Sequence, residues 1–226
     1  MLDTLFHLLP RLLAGFWVTI ELLVLSALGG VCVGAAMALA GIADCRLLRS
    51  ISESYRAIFR SIPGLVVLYF IYYGIAQLEI VRSSLLWVVF KQAHWCAWLA
   101  LSINHGAFTA ELLCGALRAV PQDYLQASAA LGLRPLKTLW LIRMPIALRL
   151  VLPAYTTELI FLTKTTSIVS TITILDLLGT ADIIYKETFD PFVPLVTAGL
   201  LYLLLISVIT HVSTLIESRV FRYPNI

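Results

Sequence analysis

Five long apolar segments constrain the fold of this chain more than any other feature of its sequence. A membrane-spanning helix needs about 20 predominantly apolar residues, because the hydrocarbon layer is about 30 Å thick and a helix rises about 1.5 Å per residue. Of the 226 residues, 60% are hydrophobic and 13% are charged, whereas soluble domains carry about 25% charged residues. The apolar segments are 16–42, 62–80, 95–117, 146–165 and 192–216. The sequence therefore predicts an all-α polytopic membrane protein with about five transmembrane helices in a single domain, 1–226.

The first apolar segment is predicted to be a retained span rather than a signal peptide. The apolar region of a signal peptide is about 7–15 residues long, and the segment from Phe16 to Ile42 is much longer. Basic residues follow it, as they follow a stop-transfer segment. Its glycines, Gly29, Gly30 and Gly34, form a stripe of small residues, which predicts close packing against another helix.

The distribution of basic residues predicts how the chain is oriented. Lys and Arg concentrate in cytoplasmic loops. Eleven of the 16 basic residues lie between spans one and two, between spans three and four or at the start of span four, or in the C-terminal tail. With five spans, the N-terminus is expected outside and the C-terminus inside. The segment 118–145 then becomes the largest cytoplasmic loop.

This loop contains a short predicted helix. Pro121 suits a first helical turn, the alanine-rich residues 125–131 favour a helix, and Gly132 is placed to end it. Pro135 prevents the same helix from resuming directly. A capped, partly polar helix on the inner face suits docking to another protein, and an ordinary surface helix fits these residues equally well.

The same loop resembles a motif of the permease subunits of ATP-binding-cassette (ABC) importers. Those permeases carry E-A-A-x-x-x-G, followed after nine residues by I-x-L-P. Here Gln126, Ala127 and Ser128 precede Gly132, and the segment ending at Pro145 follows at the same spacing. Gln for Glu, Ser for Ala and Met for Leu are the three departures. The Gln keeps the reach of Glu but loses the charge that strengthens a hydrogen bond.

Other segments are similar to motifs of the polar amino acid branch of that family, in the same order. They are Arg60–Leu65, Asn104–Glu111, Gly115–Pro121, Leu152–Tyr155 and Lys164–Ser167. The resemblance covers about 60–179, and its pattern is nearest to permeases of histidine, basic amino acid or opine systems. It implies the type I importer permease fold (MetI-like), with alternating access between the halves of a dimer.

The resemblance also implies a function and a set of partners. Such a permease moves polar amino acids, here basic, histidine-like or opine, across the bacterial inner membrane. It works with a cytoplasmic ATPase dimer, a second permease that is identical or homologous, and a periplasmic or extracellular substrate-binding protein. By the resemblance, Gln126, Ala127, Ser128, Gly132 and Pro145 couple the permease to the ATPase. Apart from proteins and substrate, membrane lipid is the expected partner, and nothing in the charge pattern indicates nucleic acid.

The chain itself is not expected to be an enzyme. It lacks the P-loop pattern G-x-x-x-x-G-K-[ST]. ATP and Mg²⁺ are therefore expected on the partner ATPase, and no catalytic residue, cofactor or metal site is predicted on this chain. An intramembrane enzyme is disfavoured because neither H-E-x-x-H nor G-x-S-x-G occurs. The remaining alternative is a secondary transporter or channel driven by an ion gradient, which five spans without an internal repeat make less attractive.

Polar and ionisable side chains within the spans are the candidates for the substrate pathway. A charge at mid-bilayer costs roughly 2.5–3.5 kcal/mol on insertion scales, so such groups usually face a cavity or a partner. The candidates are Asn104, Glu111, Glu158, Lys164 and Thr165. Lys164 and Thr165 could hold the carboxylate of an amino acid, and Glu158 or Asn104 its ammonium group.

Three of these candidates leave an alternative open. Glu111 is also placed to pair with Arg118 or with an arginine of the coupling loop. Lys164 could instead extend its ammonium group to the outer headgroups. Thr165 stands where the resembling permeases have Asp, and the loss of that anion leaves a preference for basic side chains open.

Overall fold

The chain is built from helices that pack around one central helix, α6. The structure, a computed structural model, describes residues 2–220, with side chains described from Leu8 onward. Within that range the α-helices are α1 (Leu2–Gly41), α2 (Arg46–Ser61), α3 (Gly64–Tyr69), α4 (Glu79–Arg82), α5 (Trp87–Phe90), α6 (Ala93–Arg118), α7 (Gln122–Ala130), α8 (Pro135–Thr138), α9 (Met144–Thr165), α10 (Leu177–Thr188) and α11 (Phe192–Val220).

Several of these helices continue through tighter or wider turns. A π-helical segment, Phe70–Gly74, and a 3₁₀ turn, Ile75–Gln77, extend α3. Another π-helical segment, Leu139–Arg143, joins α8 to α9, and a 3₁₀ segment, Thr166–Ile172, extends α9. The wider turn at Leu139–Arg143 precedes Pro145, whose ring would clash with a carbonyl one turn earlier in a regular helix.

Helix α1 lies against α6 at very short distance along a stripe of glycines. A Cβ atom at Gly34 would come within 2.7 Å of two side-chain carbons of Thr109. A Cβ atom at Gly29 or Gly30 would overlap the side chain of Ser102 or His105. The close packing predicted from the glycine stripe is therefore confirmed. Because the residue numbers of the contacting positions increase together along both helices, α1 and α6 run in the same direction.

A sharp bend separates α2 from α3. The helix pair Arg46–Ser61 and Gly64–Gln77 is bent by 105°. Ile62, at the break, has an extended backbone with ψ near 130°, because the ring of Pro63 disfavours the helical conformation in the residue before it. The bend carries the end of α2 and the start of α3 past the middle of α6, where both line one cavity.

Fewer helices than predicted have the length and apolar composition of a membrane span. Among the residues that the structure describes, three qualify, Leu8–Gly41, Pro135–Ile172 and Phe192–Val220, and the bent pair of α2 and α3 makes a fourth if it is counted as one span. The predicted span 95–117 coincides with α6 but is not among them. Asn104, His105 and Glu111 make α6 more polar, and its neighbours bury most of it, including Asn104 and His105. Length and composition thus support three or four spans, and the fifth stays a prediction.

The segment predicted as a loop, 118–145, is largely helical. It contains α7, and helix resumes at Pro135 with α8, well before the predicted start of the fourth span at residue 146. Proline is tolerated there because the first N–H groups of a helix have no partner within it. The helix of the fourth predicted span therefore projects beyond its apolar segment, close to α7.

Asp176 fastens α10 to two neighbouring helices. Its carboxylate accepts a hydrogen bond from the backbone N–H of Gly179 at 2.9 Å and another from the hydroxyl of Tyr202 in α11 at 3.3 Å. The next residue, Leu177, donates its backbone N–H to Thr19 of α1 at 3.0 Å. Asp176 is fully buried and lies outside the candidate spans. Burial raises its pKa to about 6.

This raised pKa predicts a pH dependence of stability. In the unfolded chain the carboxyl ionises near pH 3.8, but in the folded chain it ionises near pH 6. The folded state thus binds more protons between these values, and stability should fall by up to about 3 kcal/mol as the pH rises from 4 to 7. Asn caps a helix as well as Asp does, so Asp176→Asn should remove this part of the pH dependence. Thermal unfolding in detergent at pH 4.5, 6 and 7.5 measures it, and identical pH profiles for both proteins would contradict the assignment.

Candidate functional site

A cavity of about 510 Å³ lies where the bend between α2 and α3 faces α6 and α9. Three of the five predicted substrate-pathway residues, Asn104, Lys164 and Thr165, line it. The other lining residues are Arg60, Ser61, Ile62, Pro63, Gly64, Leu65, Phe108, Phe161 and Ile168. The cavity therefore combines polar groups from three helices with two aromatic side chains.

The polar groups around the cavity are held in place by the backbone. Asn104 donates its side-chain N–H to the carbonyl of Phe59 at 2.9 Å, which leaves its side-chain oxygen free to accept a hydrogen bond. The hydroxyl of Thr165 donates to the carbonyl of Phe161 at 2.9 Å, so its oxygen is also an available acceptor. Gly64 keeps this part of the cavity open: a Cβ there would lie 3.5 Å from Thr165 and 3.6 Å from the Asn104 oxygen.

Arg60 is the cationic group at the α2 side of the cavity. Its guanidinium carbon lies 5.8 Å from the ring centre of Phe108, a distance at which a cation is attracted to the face of an aromatic ring. The rings of Phe108 and Phe161 are 6.3 Å apart, centre to centre. In the sequence, Arg60 stands out only as part of a motif, which does not predict its place in the site. The signal was the proline three residues later, since that proline turns the end of α2 into the cavity.

Glu111 lies outside the cavity and pairs with two arginines of α2. One carboxylate oxygen is 2.6 Å from Arg56 and 3.1 Å from Arg60. Glu111 therefore forms an ion pair, as the alternative predicted, but its partners are arginines of α2 and not Arg118. Arg118 instead donates to the backbone carbonyl of Gly41. The Arg56 side chain is only 7% exposed, and a charge this buried is stable only with a partner. Glu111 therefore fixes α2 against α6.

Glu158 is likewise outside the cavity lining and faces His105. Its carboxylate oxygen is 3.6 Å from Nδ1 of His105, whose Nε2 is 3.4 Å from the hydroxyl of Tyr155. His105 is almost fully buried between α1, α6 and α9. No sequence pattern groups these three side chains, because they come from two helices and meet only through the packing of α9 on α6.

The predicted ATPase-coupling residues surround α7. Gln126 and Ala127 are exposed on it, and Pro145 is exposed near the start of α9. Ser128 is buried instead: its hydroxyl donates to the carbonyl of Leu125 at 2.7 Å and accepts a hydrogen bond from Thr138 of α8 at 3.2 Å. Ser128 therefore holds α7 against α8 and does not face outward.

Gly132 ends α7 with a left-handed residue. Its φ is +69°. Its N–H donates to the carbonyl of Ala129 at 2.9 Å, and the N–H of Leu133 donates to the backbone carbonyl of Ser128 at 3.0 Å. These two bonds define a Schellman motif, in which glycine is favoured because a left-handed conformation costs it nothing. The predicted end of the helix at Gly132 is confirmed. Beside it, Leu131 is 79% exposed, so an apolar side chain stands at the tip of this loop.

Residues 30–222 match the family described as "Binding-protein-dependent transport system inner membrane component", and the chain belongs to it. It is therefore a permease of an ABC importer, located in the bacterial inner membrane. Permeases of this family do not hydrolyse ATP themselves, and a separate ATPase subunit does so. Nothing among the relatives supports the ion-gradient-driven alternative.

Individual relatives cover nearly the whole chain. It is 35% identical over 206 residues to the octopine transport system permease protein OccM of Rhizobium radiobacter. This match covers 91% of this chain and 84% of OccM. It is 36% identical over 209 residues to the nopaline transport system permease protein NocM of Agrobacterium fabrum, with 92% and 87% covered. The arginine ABC transporter permease protein ArtM of Haemophilus influenzae is 34% identical over 178 residues, with 79% and 78% covered.

Solved structures confirm the predicted fold class. An amino acid ABC transporter crystallised with histidines has a chain that superposes with a TM-score of 0.85 at 27% identity, covering 96% of this chain and 97% of that one. The inward-facing MetNI methionine ABC transporter superposes with a TM-score of 0.80 at 24% identity, with 98% and 100% covered. The all-helical type I importer permease fold is thus shown for this chain.

Proposed function

We propose that this chain forms half of the transmembrane pathway of an importer for polar amino acids, including opines, with the cavity beside Arg60 as its substrate site. The observation that carries the proposal is the convergence of three predicted pathway residues, Asn104, Lys164 and Thr165, on one cavity. The names of the octopine, nopaline and arginine permeases support the substrate class.

The cavity has groups for both ends of an amino acid. The ammonium group of Lys164 and the guanidinium group of Arg60 supply donors for a carboxylate, and charged donors make hydrogen bonds about twice as strong as neutral ones. The side-chain oxygens of Asn104 and Thr165 are acceptors for an ammonium group. Phe108 and Phe161 add apolar and π surface. A volume of about 510 Å³ lies within the range of roughly 300–1,000 Å³ typical of small-molecule sites.

The exposed surface of α7 is proposed as the docking element for the ATPase. Gln126 and Ala127 lie on its exposed side, and the exposed Leu131 follows directly. Exposed apolar side chains rimmed by polar ones mark protein interaction surfaces. The hydrogen bond between Ser128 and Thr138 connects α7 to α8. Helix α8 continues into α9, which carries Lys164 and Thr165. A movement of the ATPase would thereby reach the cavity along one continuous helical connection.

We also propose the predicted orientation and five spans. α1 and α6 run parallel, so their C-terminal ends meet at the same side of the molecule, where Arg118 donates to the carbonyl of Gly41. Arg143 joins this end through a bond to the carbonyl of Leu117 at 3.0 Å. These basic residues support a cytoplasmic location for this end. With 26 residues, α6 is about 39 Å long at 1.5 Å per residue, enough to cross the membrane.

Copurification tests this assembly directly. The tagged chain, extracted from its native membrane in a mild detergent, should bring down a cassette ATPase together with a second permease. Mass spectrometry identifies both. An ATPase without a second, different permease would mean a homodimer. If no ATPase is recovered under conditions that keep a known cassette importer intact, the proposed assembly is wrong.

A further inference from the structure

We infer that the cavity selects substrates that carry two carboxylates over those with a single carboxylate or a basic side chain. The inference rests on the proposed function, since it concerns the same cavity. Its basis is the charge of the side chains that line the cavity: Arg60 and Lys164 are cationic, and among residues 8–220 no Asp or Glu lines it.

Lys164 has no fixed partner in the part of the chain that the structure describes. No carboxylate between residues 8 and 220 lies within ion-pair distance of its ammonium group. The residue next to it is Thr165, and the threonine adds no charge to the cavity. The Lys164 side chain is exposed and lines this cavity, so its ammonium group is accessible to a substrate carboxylate, with which it would make a charge-assisted hydrogen bond.

Arg60 has a partner, but it shares that partner with a second arginine. The same oxygen of Glu111 is 2.6 Å from Arg56 and 3.1 Å from Arg60. Since Arg56 is the closer and more buried of the two, it holds Glu111 in place without Arg60. The three cationic side chains Arg56, Arg60 and Lys164 therefore have only one carboxylate, that of Glu111, to balance their charge. Arg60 is already oriented to bind a carboxylate and has donors left over, because guanidinium carries five N–H groups.

The acceptors of the cavity suit one ammonium group and no further cation. Asn104 and Thr165 offer neutral oxygens, and the nearest carboxylates are held elsewhere, Glu111 by arginines and Glu158 against His105. A guanidinium or ammonium side chain of a substrate would enter a cavity with two cations and no anion. A second carboxylate would instead face whichever of Arg60 and Lys164 the first one leaves free.

Equilibrium binding to the purified permease–ATPase complex in nanodiscs, without the binding protein, tests this preference. Two pairs of ligands isolate the second carboxylate: glutamate with glutamine, and octopine with arginine. The two-carboxylate member of each pair should bind about tenfold to a hundredfold more tightly, the effect expected for one additional charged hydrogen bond. Lys164→Met should weaken binding of the two-carboxylate member of each pair more than binding of the one-carboxylate member, and so remove most of that difference.

A reversal of charge gives the sharper test. Thr165→Asp adds a carboxylate beside Lys164 and should shift the preference from octopine towards arginine by about tenfold. Thr171→Asp is the matched control, because Thr171 lies on the 3₁₀ segment that extends α9 but outside this cavity, and it should leave the preference unchanged.

Two outcomes would overturn the inference in different ways. If the intact complex binds glutamine and arginine at least as tightly as glutamate and octopine, the cavity does not select a second carboxylate, although the importer assignment stands. If the complex binds none of the four ligands, the cavity is not the substrate site, and the proposed function fails with it.

Discussion

Gly132→Val should uncouple ATP hydrolysis from uptake while the protein still inserts into the membrane. At φ = +69°, a β-branched residue is strained, since a left-handed conformation costs an L-amino acid roughly 1–2 kcal/mol. That energy corresponds to about a five- to thirtyfold smaller population of the native loop. The loss concerns conformation alone, because a Cβ at Gly132 would have no atom within 4 Å. Substrate uptake per ATP hydrolysed by the reconstituted complex is the quantity to measure.

Two variants separate backbone conformation from added bulk. Gly132→Asn should retain most of the coupling, because asparagine tolerates the left-handed conformation that ends a helix. Gly115→Val places the same bulk on α6, where the Cβ also has no atom within 4 Å and φ is not left-handed, and it should keep its coupling as well. If Gly132→Val retains full coupling, or if Gly115→Val fails equally, the Schellman turn is not needed for coupling.

The parts of this fold that the sequence predicts are those governed by local chemistry. Apolar segments locate the long helices because a span needs continuous apolar length. The glycine stripe of α1 predicts close packing because no other residue allows it. Gly132 ends α7 as predicted, since the left-handed position favours glycine whatever the surroundings.

The parts that the sequence does not predict depend on which helices meet. Glu111 pairs with Arg56 and Arg60 rather than Arg118, and this follows from the bend at Pro63, whose angle no local pattern gives. Ser128 has the right spacing for a coupling residue, yet it is buried because α8 packs against it. The predicted span 95–117 is too polar to qualify as a membrane span by composition. Helix α6 does not need an apolar surface, because its neighbours bury it.

The same burial makes the contact between α1 and α6 sensitive to added volume. Gly34→Val should destabilise the protein by about 1–3 kcal/mol or more, the cost of overpacking a well-packed core. The added Cβ alone would come within 2.7 Å of Cβ and Cγ2 of Thr109 and within 3.1 Å of the carbonyl oxygen of Gly106. The first of these atoms and the carbonyl oxygen cannot rotate away, so the two helices would have to separate. Thermal unfolding and the yield of monodisperse protein in detergent both report the loss.

Gly199→Val in α11 is the matched control, because its added Cβ has no atom within 4 Å and should leave the unfolding temperature nearly unchanged. A second-site test follows from the geometry. Thr109→Gly removes both side-chain carbons that oppose the new Cβ, so the double variant should recover part of the stability that Gly34→Val loses. The coupling between two contacting positions is expected at about 0.5–3 kcal/mol. Strictly additive effects would show that the helices do not meet at these two residues. Helix α6 also carries Asn104 and Phe108, so a separation of α1 from α6 would also change the substrate cavity. Gly34→Val should therefore weaken ligand binding by the protein that remains folded after extraction.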